Sequence, residues 1–330
     1  MEMEKVPAAG FRIVGLKVAG LQRKRNLKNI VENLKLPIRF ARSIRKARHI
    51  IKEFKPDIAI GVGGYASAPL LFAATEMKIP TLIQEQNGFA GLTNKMLGRR
   101  VDKICVAYEG MDKFFPADKL VLTGNPIRKL IVPCTPQMKA EGIEFYGMDP
   151  AKKHLLVVGG SLGSGTLNNA MKKWISDGCP GGKNVEVLWQ CGKYYKDSID
   201  AFMEAHKEQC PNIHYSEFIS RMALAYAMAD VVVSRSGASS ISELCAARKA
   251  AIFVPSPNVA EDHQTHNAMA LVRKDAAMIV KDSEAVDKLM GVALALLDDP
   301  EKIGRMEANI AKLAKMDASS VIVQEAYKLI

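Results

Sequence analysis

Short apolar runs alternate along the chain with longer stretches of helical period. Apolar, Val/Ile/Leu-rich runs, the mark of strands buried on both faces, fall at 58–62, 81–83, 103–107, 155–158, 185–188, 231–233 and 251–254. Between several of them, 67–77, 166–175, 220–229, 239–247 and 264–274 place apolar residues at helical spacing. Strands alternating with helices predict α/β architecture with parallel sheets of the Rossmann type. The start reads as a helix end or loop over 1–5, a Pro-Ala-Ala-Gly turn and a strand over 11–18. The tail from Ser283 is mostly helical, with a break at Asp299-Pro300. A boundary is expected between Asn125 and Lys153, a stretch holding Pro126, Pro133, Pro136 and Pro150. Two such halves facing each other would leave a cleft between the carboxyl ends of their strands, where parallel sheets bind ligands.

Composition narrows the picture. The chain has 330 residues, 48% of them hydrophobic, which is enough for a core and excludes wholesale disorder. No apolar run approaches the ~18 residues of a membrane-crossing helix, and the first twenty residues lack a signal-peptide pattern. Six cysteines without a CxxC pair speak against a disulfide framework or a zinc site and fit a reducing cytosol. The net charge of +11 is concentrated. Residues 23–55 hold twelve basic side chains against Glu32 and Glu53, a balance of +10, interleaved with Ile30, Leu34, Leu36, Ile38, Phe40 and Ile44. Two readings stay open: a surface that rests on anionic lipid, or a solvated helix whose apolar stripe packs on the sheet. No helix-turn-helix, RRM or zinc-finger pattern supports nucleic acid as a partner.

Glycine-rich segments follow three of the predicted strands. Gly61-Val-Gly-Gly-Tyr-Ala-Ser-Ala-Pro69 and Gly159-Gly-Ser-Leu-Gly-Ser-Gly165 each join a strand to a helix, where backbone can approach a ligand and a helix N-terminus can face an anion. The second has no Gly-Lys-Ser/Thr and no clean GxGxxG, so it is neither a Walker loop nor a dinucleotide fingerprint. In Ser234-Arg-Ser-Gly-Ala-Ser-Ser-Ile-Ser-Glu243, the carboxylate of Glu243 could accept two ribose hydroxyls; an N-capped helix with a surface Glu reads the same. Polar runs 84–88 and 261–267 also follow strands. His263 and His266 have metal-ligand spacing but no third ligand, so they read better as helix-start polar residues.

Together these segments closely resemble the MurG family of peptidoglycan glycosyltransferases. The matching text is GVGGYASAP (61–69), IPTLIQEQNGFAGLTNKML (79–97), TGNPIR (123–128), VVGGSLGSGTLN (157–168), EFIS (217–220), ADVVVSRSGASSISEL (229–244) and EDHQTHNA (261–268). The resemblance implies a GT-B architecture: an acceptor- and membrane-side domain over 1–125, a UDP-sugar domain over 126–300, and a helical segment over 301–330 returning to the first domain. It implies inverting transfer of N-acetylglucosamine from UDP-N-acetylglucosamine to the lipid-linked muramyl-pentapeptide, lipid I, to give lipid II. That chemistry serves the cell wall, cell shape and division, from the cytoplasmic face of the inner membrane. Donor contacts carried over are Asn87, Arg128, Ser161 near the diphosphate, Ile219 on uracil through its backbone, Glu243 on the ribose and Gln264 on the sugar. No cofactor or metal is implied, and no Asp-x-Asp stands in a metal-binding context.

The sequence also departs from the family pattern. The family opens with a strand and a Gly-Gly-Thr-Gly-Gly-His loop, whereas Met1 here matches a position well inside the pattern, so the first βαβ portion is expected to be missing, with its loop histidine. Gln84 stands where the family often has a second histidine. Glu85 is then the remaining carboxylate on the acceptor side and the candidate base, with the catalytic residue otherwise unassigned. The competing expectation is a truncated, non-catalytic protein that binds UDP-sugar and membrane; a UDP-sugar epimerase on the same architecture is a third.

Overall fold

The computed structural model describes residues 2–18, 33–209 and 211–330. They form two compact units, one of Met1–Gln86, Ala90–Thr123 and Ser320–Ile330, the other of Asn87–Phe89 and Gly124–Ser319.

The first unit begins with helices α1 (Glu2–Ala8) and α2 (Leu36–Phe54), followed by β1 (Ala59–Gly61), α3 (Gly64–Glu76), β2 (Thr81–Glu85), α4 (Leu92–Leu97), β3 (Lys103–Val106) and β4 (Leu120–Leu122). The strands form a parallel sheet in the order β1-β2-β3-β4. Successive side chains of a strand point to opposite faces. Ile83, Ile104 and Val106 accordingly pack with Leu71 and Ala74 of α3, while Leu82 and Cys105 face the other way, onto Ile322 and Ala326. On α2 the buried Ser43, Ala47 and Ile51 recur every fourth residue, which fixes its inner face. Its Phe40 meets Phe72 of α3 edge-on.

The expected strand over 11–18 does not form. Phe11 and Val14 are exposed, and the carbonyls of Gly15 and Lys17 accept bonds from Lys46 Nζ (2.8 Å) and Ser43 Oγ (2.7 Å) of α2. Side chains from a helix thus satisfy backbone groups that a neighbouring strand would otherwise have to meet.

The second unit runs α5 (Pro136–Tyr146), β5 (Lys153–Val158), α6 (Gly165–Ser176), β6 (Val185–Gln190), α7 (Lys196–His206), β7 (Ile213–Ser216), α8 (Met222–Met228), β8 (Val231–Ser234), α9 (Ala238–Ala247), β9 (Ala251–Phe253), α10 (His263–Val272), β10 (Met278–Ile279), α11 (Asp282–Leu297) and α12 (Pro300–Ala311). Its sheet is parallel, in the order β10-β9-β8-β5-β6-β7. Leu155, Val157, Val187, Trp189, Val231 and Val233 of the central strands pack with Leu167, Met171 and Trp174 of α6 and Leu289 and Ala293 of α11. Asp299 caps α12 by accepting from Lys302 N (2.9 Å), with Pro300 at the first helical position. The tail is divided: α12 lies in the second unit, and α13 (Ala318–Tyr327) carries the chain from Ser320 into the first.

Strands β4, β7 and β10, two to four residues long at the sheet edges, were not foreseen, nor were α4, α5 and α7. β7 has one buried residue and β10 none. Among the described residues, Cys179 is disulfide-bonded, which no CxxC spacing announces, while Cys105, Cys134, Cys191 and Cys245 are free thiols. Among the described residues, no helix is long and apolar enough to cross a membrane.

His154, at the start of β5, is buried, and its Nε2 lies 3.1 Å from the Asp149 carbonyl. Burial pushes its pKa below the ordinary value, against the pull of Asp230. The unfolded chain therefore takes up this proton near pH ~6.5 while the native chain does not. Stability must fall as pH drops through that window, because the unfolded state binds more protons there. In urea unfolding between pH 7.5 and 5, His154→Gln should lose stability less steeply than the parent; equal slopes would exclude His154 as a source of the dependence.

Candidate functional site

In the second unit, the loops that leave β5, β6 and β7 lie side by side. The glycine loop ends at Ser164, whose Oγ accepts from Leu167 N (3.3 Å) and caps α6. Its carbonyls at Ser161 and Leu162 accept from Lys193 N (3.3 Å) and Tyr194 N (3.4 Å). The loop after β6 continues the row: Cys191 N donates to Ser216 O (3.0 Å) and Gly192 N to Glu217 O (3.1 Å). Gly163, at φ +88°, sits so close to the Cys191 carbonyl that a Cβ would collide with it. One side chain spans the row. Gln190, buried at the end of β6, donates from Nε2 to Gly160 O (2.9 Å) and accepts at Oε1 from Ile219 N (2.8 Å). Ser161 is exposed on the glycine loop and Ile219 is buried. A helix N-terminus with a serine beside it is suited to an anion, since helix-start N–H groups and the macrodipole both favour negative charge.

The loop after β8 is held by Arg235, which donates from Nη1 to the carbonyls of Val254 (2.9 Å) and Pro255 (3.2 Å) and to Asp282 Oδ1 (2.5 Å). Behind it, Glu243 is buried in the second turn of α9. Arg128 meets it with a two-pronged contact, Nε to Oε1 and Nη2 to Oε2, both at 2.7 Å. The Tyr226 hydroxyl donates to the same Oε2 (3.2 Å). Burial, then the Glu243 charge, pushes the Tyr226 phenol up, so it stays protonated and remains a donor. The Glu243 bond raises the Arg128 pKa. A carboxylate held flat by a guanidinium presents the in-plane lone pairs that could instead accept two vicinal hydroxyls.

Asn87–Phe89 groups with this unit, although it directly follows β2 of the first. The buried Asn267 of α10 grips it, donating from Nδ2 to Asn87 Oδ1 (3.0 Å) and accepting at Oδ1 from Gly88 N (2.8 Å). Phe89 stacks on His266, with ring centroids 5.0 Å apart. Gln264 accepts at Oε1 from Ser256 N (2.8 Å). Asn87, Arg128, Ser161, Ile219, Glu243 and Gln264 thus all belong to the second unit.

Glu85, the candidate base, lies in the first unit, buried at the end of β2. Its Oε2 accepts from Gly91 N (3.0 Å) and Asn94 Nδ2 (2.9 Å), which fixes the turn into α4. Burial pushes the thiols of Cys105 and Cys134 up to about 11 and that of Cys245 to about 12, so none is a thiolate nucleophile at neutral pH. Among the described residues, no three His, Cys, Asp or Glu side chains gather as a metal site.

Comparison with known proteins supplies the family. The glycosyltransferase family 28 C-terminal domain matches residues 154–322, and the family 28 N-terminal domain matches residues 1–106. A curated protein of Bacteroides thetaiotaomicron is 50% identical over 329 residues, 100% of this chain and 87% of its own. It is named UDP-N-acetylglucosamine--N-acetylmuramyl-(pentapeptide) pyrophosphoryl-undecaprenol N-acetylglucosamine transferase. One of the same name from Parabacteroides distasonis is 49% identical over 335 residues, again 100% of this chain and 87% of its own. The chain belongs to glycosyltransferase family 28, in its MurG group. The crystal structure of Acinetobacter baumannii MurG superposes with a TM-score of 0.75 at 26% identity, covering 99% of this chain and 88% of that one. The fold is thus GT-B-like, with two parallel-sheet α/β domains. Among family 28 segments, Gln190, Asn267 and Tyr226 were not singled out as site residues. The available signals were the polar residue that ends the segment Val185–Gln190 and the asparagine of the Glu261–Asn267 polar run.

The glycine loop gives a comparison of two costs. Gly160 (φ +86°) has open space where a Cβ would go, whereas Gly163 faces Cys191. Gly160→Ala should cost the second unit about 1 kcal/mol, from backbone strain alone. Gly163→Ala should cost about 3 kcal/mol, because strain and overpacking add. Denaturant titration of both variants checks the order; equal losses would mean that the close approach is unimportant.

Proposed function

We propose that the chain transfers N-acetylglucosamine from UDP-N-acetylglucosamine to lipid I, giving lipid II, with inversion at the anomeric carbon. The observation that carries this reading is half identity, over the whole chain, to curated transferases of that name. The acceptor's 4-hydroxyl attacks the anomeric carbon as the bond to the diphosphate breaks. UDP departs with the bonding pair, and the hydroxyl proton passes to a base that the chain's own geometry does not name. Roles for the second unit's residues follow their chemistry. The α6 N-terminus with Ser161 takes the diphosphate charge that develops on the leaving group. The Ile219 backbone reads uracil, Glu243 takes the ribose hydroxyls, Arg128 takes phosphate, and Asn87 and Gln264 line the sugar. Loss of Glu243 as Glu243→Gln should raise the donor KM about ten-fold, since hydrogen bonds to a charged acceptor are each worth about 1.5–3 kcal/mol. The decisive assay follows labelled N-acetylglucosamine from the UDP donor onto a lipid I analogue, with donor hydrolysis and binding on the same sample. Transfer is expected; donor binding without transfer would sink the reading.

The acceptor is lipid-linked, and α2 offers a matching surface. Its inner face is packed, but Arg42, Arg45, Arg48 and Lys52 are exposed beside Ile38 and Phe54. Arg48 is paired with Glu76 (2.5 Å). Within the basic segment 23–55, residues 23–32 lie outside the described residues. We place this face on anionic lipid at the cytoplasmic side of the membrane, with no role for nucleic acid. Each basic residue near such a surface contributes about 1 kcal/mol, so replacing Arg42, Arg45 and Lys52 by Gln together should weaken binding to phosphatidylserine vesicles about 100-fold. Sedimentation with vesicles checks this, and unchanged binding would remove α2 from the membrane contact.

A further inference from the structure

We propose that Gln190 is a positioning residue that sets the spacing between the diphosphate and base ends of a bound nucleoside diphosphate. The inference rests on the proposed use of the glycine loop and the Ile219 backbone for UDP.

Gln190 is 1% exposed, so it need touch no ligand to act. Its side-chain amide works as a bar with a donor at one end and an acceptor at the other. The donor end holds Gly160 O, next to Ser161; the acceptor end holds Ile219 N. The bar has only one workable orientation. Turning the amide over would set its NH2 against the Ile219 N–H and its oxygen against the Gly160 carbonyl. The bar itself is fixed from both sides. Asn168 of α6 accepts from Trp189 Nε1 (3.0 Å) and donates to Cys191 O (3.0 Å), clamping the residues before and after Gln190. Helix α6 begins at the glycine loop, so the same helix that faces the diphosphate also fixes the bar. Two loops that would meet opposite ends of one ligand are therefore held at one distance by one buried side chain.

Such a residue affects a ligand that spans both loops more than a ligand that touches one. The test uses the full chain and two variants, Gln190→Met, which keeps length but neither bond, and Gln190→Glu, which keeps the acceptor and sets an oxygen against Gly160 O. Affinities for UDP and for uridine are measured with each, together with Tm and the donor KM and kcat. Both variants should bind UDP about ten-fold more weakly, Gln190→Met by losing two neutral hydrogen bonds and Gln190→Glu by losing one and setting an oxygen against the Gly160 carbonyl, with uridine affinity within about two-fold of the parent. The donor KM should rise by the same factor as the UDP Kd, with kcat nearly unchanged. Equal weakening of UDP and uridine would show a role confined to the base pocket and overturn the proposal. So would UDP binding that does not change in either folded variant. A parent chain that binds no UDP would instead overturn the underlying functional reading, and the spacing role with it.

Discussion

The second unit depends on a backbone-to-backbone approach that only glycine allows. Gly163 lies against the Cys191 carbonyl, and Gly192 lies against Gly163 in return. With that approach, the loops from three neighbouring strands form one continuous hydrogen-bonded surface. Without it, the loop after β5 would stand off from the loop after β6, and the bonds from Lys193 and Tyr194 to Ser161 and Leu162 could not form. The parallel sheet supplies the reason for the adjacency. Strands β5, β6 and β7 are neighbours running in one direction, so their carboxyl ends open on the same side.

Polar side chains then hold what the glycines bring close. Most of these are buried, and a buried polar group must be paired or it costs stability. Gln190 joins two loops, Asn168 clamps a third, and Asn267 fastens Asn87 and Gly88 to α10. Arg235, prominent in a segment that resembles the family, ties together the loops after β8 and β9 and the start of α11. It holds the segment in shape.

Much of this was legible in the sequence. The strands buried on both faces announced themselves as apolar runs, and the helices behind the glycine segments showed their period. The edge strands β4, β7 and β10 did not, because strands of two to four residues at a sheet edge are too short for their pattern to stand out. Residues 11–18 read as a strand from apolar content alone, but pairing is a tertiary fact, and helix α2 satisfies that backbone instead. Among site residues, motif text located Arg128 and Glu243 but not their contact, since they are far apart in sequence. Glu85 was legible as a carboxylate at the end of a strand; its bonds to Gly91 and Asn94 were not.

The Arg128–Glu243 contact has a consequence for occupancy. Both oxygens of this buried carboxylate are engaged within the chain, by the guanidinium and by Tyr226. A diol arriving at Glu243 would trade places with an internal cation rather than with water. The net gain at that carboxylate is the difference between two good partners, while the half-exposed guanidinium it displaces becomes available to an anion nearby. Binding at such a point is an exchange of partners at one buried carboxylate.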